Sequence, residues 1–225
     1  MVRITLKDTL RQLLDQGQLE QIAEMAVAKR RVLKALISLT YDQHPQICWR
    51  AVEAQGLASV RIAKDDPAYI REHLRRLFWL ITEESGGICW RAPEAIAEVV
   101  HHMPTLYGEY IPIVVTLILE LAEEDLEHFR PGALWAIGRV GTLAGDHVPE
   151  VMPAIAAALE DPNPQSRGMA VWCLGQLGQA AALTGRPDLL SDEGPVDFYE
   201  DRVLKQTTVA QLAGRMTTDD SLLKA

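Results

Sequence analysis

The spacing of apolar residues predicts helices along almost the whole chain. Near the N-terminus, Leu6, Leu10 and Leu14 share one face of a helix over residues 5–16, and Gly17 is suited to end it. Further helices are predicted over residues 19–28, 29–41, 46–64, 67–82, 88–102 and 110–124, from residue 130 onward, and over 149–159, 164–182 and 198–216. Residues 184–197, rich in Gly, Pro and acidic side chains, predict a connecting loop.

Two of these helices repeat the same pattern of residues. The first copy begins at Arg130 and the second begins 37 residues later at Arg167; both continue with Ala, Trp, an aliphatic residue and two glycines at identical offsets. Earlier copies contain Cys-Trp-Arg, with the arginines at Arg50 and Arg91. A period near 40 residues without strand signals predicts stacked pairs of antiparallel helices.

The predicted fold is therefore all-α: a right-handed α-α superhelix of the HEAT/armadillo-like solenoid type. We expect about four helical-hairpin repeats with helical caps, in a single domain over residues 1–225. Residues 1–28 would form the N-terminal cap helices and residues 29–182 the repeats. Residues 183–225 would form a loop and a C-terminal capping helix. The inner helices are predicted to start near residues 46, 88, 130 and 165.

One repeat turn and the helix after it carry a recognisable motif. The run Asp161-Pro-Asn-Pro-Gln-Ser-Arg167 is followed by Ala170 and by the paired late glycines Gly175 and Gly178. This run resembles HEAT repeats, in particular the bacterial HEAT-like group named after phycobilisome lyases. The resemblance covers about residues 29–182, and it implies a fold without implying an activity.

The repeated arginines each follow a carboxylate in the preceding turn. Arginine can bond a carboxylate and backbone carbonyls at the same time. We therefore predict a structural ladder that ties each turn to the neighbouring repeat, formed by Arg50, Arg130, Arg167, Asp42 and Asp161.

The repeated tryptophans leave two interpretations open. Trp135 lies beside the core stripe of its helix and shares a side with Arg139, and Trp172 is its equivalent in the next repeat. These side chains would either line a concave groove or pack between repeats.

Residues 84–95 depart most from the repeat pattern, and functional sites are expected at such departures. Trp90, Arg91 and Glu94 are the predicted recognition residues there, because Trp and Arg are enriched in binding hot spots. An acidic group with a histidine is a further candidate there, in which Glu94 and Glu98 share a helix face. Such a group would suit acid–base chemistry or a metal, and it would consist of Glu83, Glu84, Glu94 and Glu98 with His101 or His102. A solvated helix face is the favoured interpretation of this acidic group.

Charge and composition narrow the choice of partner. The net charge is −9; residues 1–40 hold seven Lys/Arg against four Asp/Glu, whereas residues 106–182 hold three against ten. This balance disfavours nucleic acid, whose affinity depends on neutralising phosphates. We expect no membrane span, no cofactor and no metal. Three distant cysteines without CxxC spacing indicate reduced residues of a cytoplasmic protein.

The predicted function is a non-enzymatic scaffold that binds a protein or peptide through its concave face. The alternative is an enzyme or an enzyme-accessory role. Trp90, Arg91 and Glu94 are similar to the Trp, Arg and carboxylate in the groove of HEAT-like alkylpurine DNA glycosylases, and the lyase-related family name suggests a lyase-type chaperone.

Ala133 and Ala170 are predicted to be buried where an inner helix meets its partner. Replacing either by Leu should cost about 1–3 kcal/mol of unfolding free energy through overpacking. Replacing either by Glu should cost more, because a charge would be buried. Thermal melting measures both effects, and melting temperatures that do not change would show that the predicted register is wrong.

Overall fold

The structure, a computed structural model, describes residues 5–82, 91–123 and 126–218, and these are predominantly helical. The predicted all-α helical-repeat class is confirmed. Contacts divide the chain into two compact units: unit 1 is Met1–Gly108 with Tyr199–Leu204, and unit 2 is Glu109–Phe198 with Lys205–Ala225. Each unit is described by itself, and the single domain over residues 1–225 stays a prediction.

Unit 1 is built from short helices around one long central helix. Thr5 begins the first helix with a capping box, in which its hydroxyl accepts from the Asp8 amide and Asp8 accepts from the Thr5 amide. The helices of this unit are α1 (Leu6–Asp15), α2 (Leu19–Ala28), α3 (Arg31–Leu39), α4 (Pro45–Ala63), α5 (Pro67–Thr82), α6 (Ala92–His102) and α7 (Pro104–Tyr107).

The central helix of unit 1 is α4, which packs against α2, α3, α5 and α6. The buried residues of α4 lie on nearly every side of the helix, as expected for a helix that is surrounded by others. Gly56 lies at a close contact with α6, because a Cβ there would come within 2.6 Å of the Glu98 Cγ. The start of α4 at Pro45 confirms the predicted inner helix. The predicted start near residue 88 lies outside the described residues.

Unit 2 repeats the helix-pair pattern. Its helices are α8 (Ile111–Glu123), α9 (Arg130–Val140), α10 (Val148–Ala157), α11 (Pro164–Gln176), α12 (Pro187–Leu190) and α13 (Val209–Thr218), with 3-10 turns at Glu127–Phe129, Gly141–His147, Ala158–Glu160 and Ala180–Leu183. The predicted starts near residues 130 and 165 are confirmed. Ala133 and Ala170 are 1% and 0% exposed, as their register predicts.

The repeated glycines of the sequence pattern allow helices of unit 2 to approach closely. A Cβ on Gly138 of α9 would come within 2.8 Å of the Trp172 ring and 3.2 Å of the Cys173 Cα on α11. Gly175 of α11 lies against Met216 of α13 in the same way, where a Cβ would meet Met216 Cγ at 2.9 Å. Glycine is needed at position 138 because a side chain would meet a rigid ring and backbone, whereas at position 175 the flexible Met216 side chain would have to shift.

The prediction of a helix from residue 198 to residue 208 is wrong. Strand β1 (Pro195–Glu200) and strand β2 (Val203–Thr208) form a two-stranded hairpin, and only the last part of the predicted helix is helical, as α13. Val196 and Phe198 are buried while the residues between and before them are exposed, which is the alternation of a strand. The hairpin therefore replaces much of the expected C-terminal cap.

Residues Pro104–Leu121 are long and apolar enough, by length and composition, to cross a membrane, although the sequence analysis expected no such run. The stretch is not one continuous helix, because the 3-10 turn Gly108–Tyr110 follows α7 and precedes α8. In unit 2, α8 buries Val114, Val115 and Ile118 as a core helix does. A single stretch of this kind is a weak indication of a span, because core helices meet the same criterion.

The close approach at Gly138 generates a stability prediction. The substitution Gly138→Ala should lower the unfolding free energy by about 1–3 kcal/mol, because the new methyl group would collide with Trp172 and with backbone. The matched control is Gly214→Ala in α13, whose Cβ would meet no described atom within 4 Å. It should leave stability unchanged or raise it slightly. Urea unfolding compares the two, and equal midpoints would contradict the packing described.

Candidate functional site

The predicted recognition residues are partly brought together in unit 1. Arg91 directly precedes α6, and its guanidinium donates to Glu94 across 2.9 Å. The same guanidinium lies 4.1 Å from the centre of the Trp49 ring, in a cation–π contact. Trp90 lies outside the described residues. The aromatic partner of Arg91 that the structure shows is thus Trp49 of α4.

The interpretation of Glu94 and Glu98 as a solvated helix face is wrong. They are 1% and 2% exposed, on the side of α6 that meets α4 at Gly56. Glu98 Oε1 lies 3.1 Å from His102 Nε2, and burial raises the pKa of Glu94 although Arg91 opposes the shift. The sequence could not show this, because burial depends on a glycine in another helix.

Several buried polar atoms on α4 and α6 have no hydrogen-bond partner within the described residues. They are Oε2 of Glu94, both amide atoms of Gln55 and the hydroxyl of Ser59, of which the last two residues lie one turn apart on α4. Leaving such a group unpaired costs about 1–3 kcal/mol. These two helices therefore bury more polar groups than packing alone requires.

Trp49 and the tip of the hairpin form a second group of contacts in unit 1. The ring of Tyr199 stacks on Trp49 with centroids 5.6 Å apart and an interplanar angle of 9°. The Tyr199 hydroxyl donates to Glu53 across 2.6 Å, and the Arg202 Nε donates to the other Glu53 oxygen across 3.1 Å. Arg202 also forms an ion pair with Glu20 of α2.

Arg50 does not pair with Asp42, so this step of the predicted ladder is wrong. Its Nη1 donates to the carbonyl oxygens of Leu14 (2.8 Å) and Asp15 (2.7 Å), and its Nε donates to that of Arg202 (2.8 Å). A cation there satisfies the exposed carbonyls at the end of α1 and complements the helix dipole. Asp42 instead accepts from Arg11 Nε across 2.8 Å.

Carboxylates bind the repeat arginines Arg130 and Arg167 of unit 2. Arg130 forms ion pairs with Asp161 and, at 3.1 Å, with Glu127. Arg167 donates from Nε to Asp192 across 2.7 Å and from Nη1 to the carbonyl of Asp161 across 2.7 Å. The guanidinium thus bonds a carboxylate and a turn carbonyl together.

The two tryptophans of unit 2 pack between helices. Trp135 and Trp172 stack with centroids 6.1 Å apart, and they are only 6% and 9% exposed. Phe198 of β1 meets Trp172 edge to face at 5.6 Å. Of the two open interpretations, the structure shows packing. Arg139 is half-buried on α9, one turn after Trp135.

The contacts that hold β1 on α11 were not among the sequence predictions. Gln165 accepts from the Asp197 amide across 2.8 Å and donates to the Asp197 carbonyl across 3.0 Å. Val196 fills the space beside Gly168, where a Cβ would meet it at 2.5 Å. The alternation of Val196 and Phe198 was the available signal for this strand.

The residues described contain no group of three or more His, Cys, Asp or Glu that could hold a metal ion. Glu98 and His102 are paired with each other, and Glu94 is paired with Arg91. These arrangements fix side chains and neutralise charge, whereas Trp49, Glu53 and Gln165 contact another part of the chain as a binding surface would.

Residues 127–177 match the family model described as a HEAT-like repeat. The match is to this segment of the chain. It contains α9, α10 and α11, the ion pair of Arg130 with Asp161, and the stack of Trp135 on Trp172. The family resemblance of the sequence motif is confirmed there.

Solved structures with helical repeats are similar over nearly the whole chain. A designed armadillo repeat protein is 17% identical, with 96% of this chain and 100% of that one covered and a TM-score of 0.46. Another, in complex with the peptide (KR)4, is 19% identical, with 93% and 99% covered and a TM-score of 0.45. An archaeal HEAT-like repeats protein from Thermococcus onnurineus NA1 is 15% identical, with 99% and 100% covered and a TM-score of 0.39. No curated protein matches the chain.

The burial of Glu94 generates a prediction of pH dependence. Its pKa in the folded chain lies above the ordinary value of 4.5, so ionisation above about pH 4.5 costs the folded state more than the unfolded state. The parent should therefore lose stability relative to Glu94→Gln as the pH rises from 4.5 through the folded pKa, and the difference should then level off. Urea unfolding between about pH 4 and pH 9 measures this difference.

The control for this measurement is Glu127→Gln, since the Glu127 side chain is 65% exposed. Its stability difference from the parent should change little over the same range. The buried His73, whose pKa is lowered to about 4, titrates in parent and variants alike and cancels in each difference. A flat difference for Glu94→Gln would contradict the raised pKa.

Proposed function

We propose that the chain is a non-enzymatic HEAT-like repeat scaffold that binds a protein or peptide partner in the cytoplasm. The observation that carries this proposal lies in unit 2, where the face of α11 holds β1 in an extended conformation. The Gln165 side chain bonds both the amide and the carbonyl group of Asp197. This contact recognises the main chain and does not depend on the side chain of residue 197. A helical face that holds one extended segment in this way is chemically suited to hold others.

Apolar contacts on the same face add affinity to the backbone contacts. Phe198 lies edge to face on Trp172, and Val196 lies over Gly168. Alternate residues of the strand thus enter the helical surface while Asp197 between them is exposed. This is the arrangement by which a surface can combine backbone recognition with side-chain selection.

The charge of unit 2 favours a partner with a basic segment. Residues 106–182 hold three Lys/Arg against ten Asp/Glu, and two of the three arginines are already paired with carboxylates. Glu120, Asp146 and Glu150 are exposed. Complementary charge guides association and selects partners, and the same sign of charge repels phosphates.

The enzymatic alternative has less support. Glu94, the predicted acidic residue, is 1% exposed and ion-paired with Arg91, which leaves it without access to a substrate. A glycosylase-like groove would also need a positive surface for phosphates. A carboxylate buried in this way stabilises or tunes a helix contact more readily than it transfers a proton to a ligand.

The test is affinity capture from the source cytoplasm with the full chain as bait, followed by mass spectrometry and reconstitution with the purified partner. We expect a protein with a basic segment to be captured and to bind the purified chain directly. The double substitution Asp146→Lys/Glu150→Lys should weaken binding by about tenfold or more, because it reverses exposed charge in unit 2.

The matched control is Asp65→Lys, which reverses an exposed charge in unit 1. It should leave the affinity within about twofold of the parent. Capture of nucleic acid alone, or the absence of any protein that binds directly after purification, would overturn the proposed function.

A further inference from the structure

We propose that unit 1 contains a recognition site for a β-turn carrying Tyr and Arg three residues apart, and that residues 199–204 are its resident ligand. A partner turn of the same chemistry would displace them. We call the site the turn cradle; it is formed by Glu20, Trp49, Arg50 and Glu53. This inference rests on the proposed function as a protein-binding scaffold and names the partner chemistry.

The cradle selects the tyrosine of the turn through two contacts. Trp49 stacks on the ring of Tyr199 at 5.6 Å with the planes nearly parallel, which selects an aromatic side chain. Glu53 Oε2 accepts from the hydroxyl at 2.6 Å, which selects tyrosine over phenylalanine. A site built to bond a hydroxyl discriminates strongly against a ligand that lacks it.

The cradle binds the arginine of the turn through the charge of its side chain and through its backbone carbonyl. Arg202 donates from Nε to Glu53 across 3.1 Å and from Nη1 to Glu20 across 3.0 Å. Arg50 in turn donates to the carbonyl oxygen of Arg202 across 2.8 Å. The two carboxylates therefore fix a guanidinium, and Arg50 fixes the direction of the main chain.

The two central residues of the resident turn both have positive φ. Asp201 and Arg202 have φ values of 51° and 64°, in the left-handed region that favours glycine and asparagine. Two-residue hairpin turns with positive φ at both positions normally use Asn-Gly or Asp-Gly. Asp201 fits this preference, whereas Arg202 occupies the position where glycine is usual. A partner turn that keeps the arginine and has asparagine in place of Asp201 would adopt the first positive φ more readily.

The cradle keeps its shape when the turn leaves. Arg50 retains its bonds to the carbonyls of Leu14 and Asp15, so it stays oriented at the end of α1. The side chains of Glu20 and Arg202 are 56% and 37% exposed, so water can replace their ion pair at little cost. Residues 199–204 belong to the same chain as the cradle, so their effective concentration at the site is high. A free partner must overcome this advantage to displace them.

The test uses a labelled peptide of residues 195–208 in which Asp201→Asn eases the turn. Its affinity is measured for the full parent chain and for the full-chain variant Tyr199→Ala/Arg202→Ala, whose own turn no longer fills the cradle. We expect binding to the variant to be at least about tenfold tighter than to the parent, because the resident competitor is gone. Circular dichroism checks that the variant is folded; if it is not, the single substitution Arg202→Ala serves in its place.

Two further changes locate the binding. Adding Glu53→Gln to the variant should weaken the peptide about tenfold or more, whereas adding Glu72→Gln, an exposed carboxylate on α5, should have little effect. Equal affinity for parent and variant, no binding to a folded variant, or insensitivity to Glu53→Gln would overturn the inference. A captured partner together with a peptide that fails overturns the inference alone; peptide binding without a captured protein overturns the proposed function alone.

Discussion

Close contact between inner helices is the constraint on which the rest of each unit depends. In unit 2, Gly138 allows α9 to meet α11 directly beneath the Trp172 ring. In unit 1, Gly56 allows α4 to meet α6 beneath Glu98 and His102. An added Cβ would collide with the Trp172 ring and approach the Cys173 backbone at position 138, and it would collide with the Glu98 side chain at position 56. The side chains beside these glycines are consequently held in fixed positions.

The same geometry supports different chemistry in the two units. The contact in unit 2 is aromatic and apolar, which needs no explanation beyond burial. The contact in unit 1 includes Glu94 and Glu98, which are buried at a cost that apolar residues of similar size would avoid. The ion pair with Arg91 reduces that cost without removing it, because burial still raises the pKa of Glu94. Polar residues retained where packing does not need them are a mark of specificity or function.

The sequence predicted the helices well because helix periodicity and the repeated Arg, Ala and Gly positions are local signals. It predicted the site less well because the site depends on contacts distant in sequence. Arg50 follows Asp42 at the repeat register, yet it reaches the carbonyls at the end of α1, while Asp42 bonds Arg11. The hairpin was missed because Arg202 stands where the usual Asp-Gly turn signature has glycine. The role of Trp172 could not be settled without Phe198, which the hairpin supplies.

The identity of residue 50 explains how one side chain can serve both fold and recognition. A lysine could satisfy one carbonyl at the end of α1, but its single ammonium group could not hold the fixed fork that reaches Leu14, Asp15 and Arg202 together. Two of these three bonds belong to the helix end and persist without the turn. Arginine at this position therefore stabilises α1 and at the same time presents an oriented donor to whatever main chain lies in the cradle. The turn is thus recognised in part by the Arg50 guanidinium, which the fold already requires at the end of α1.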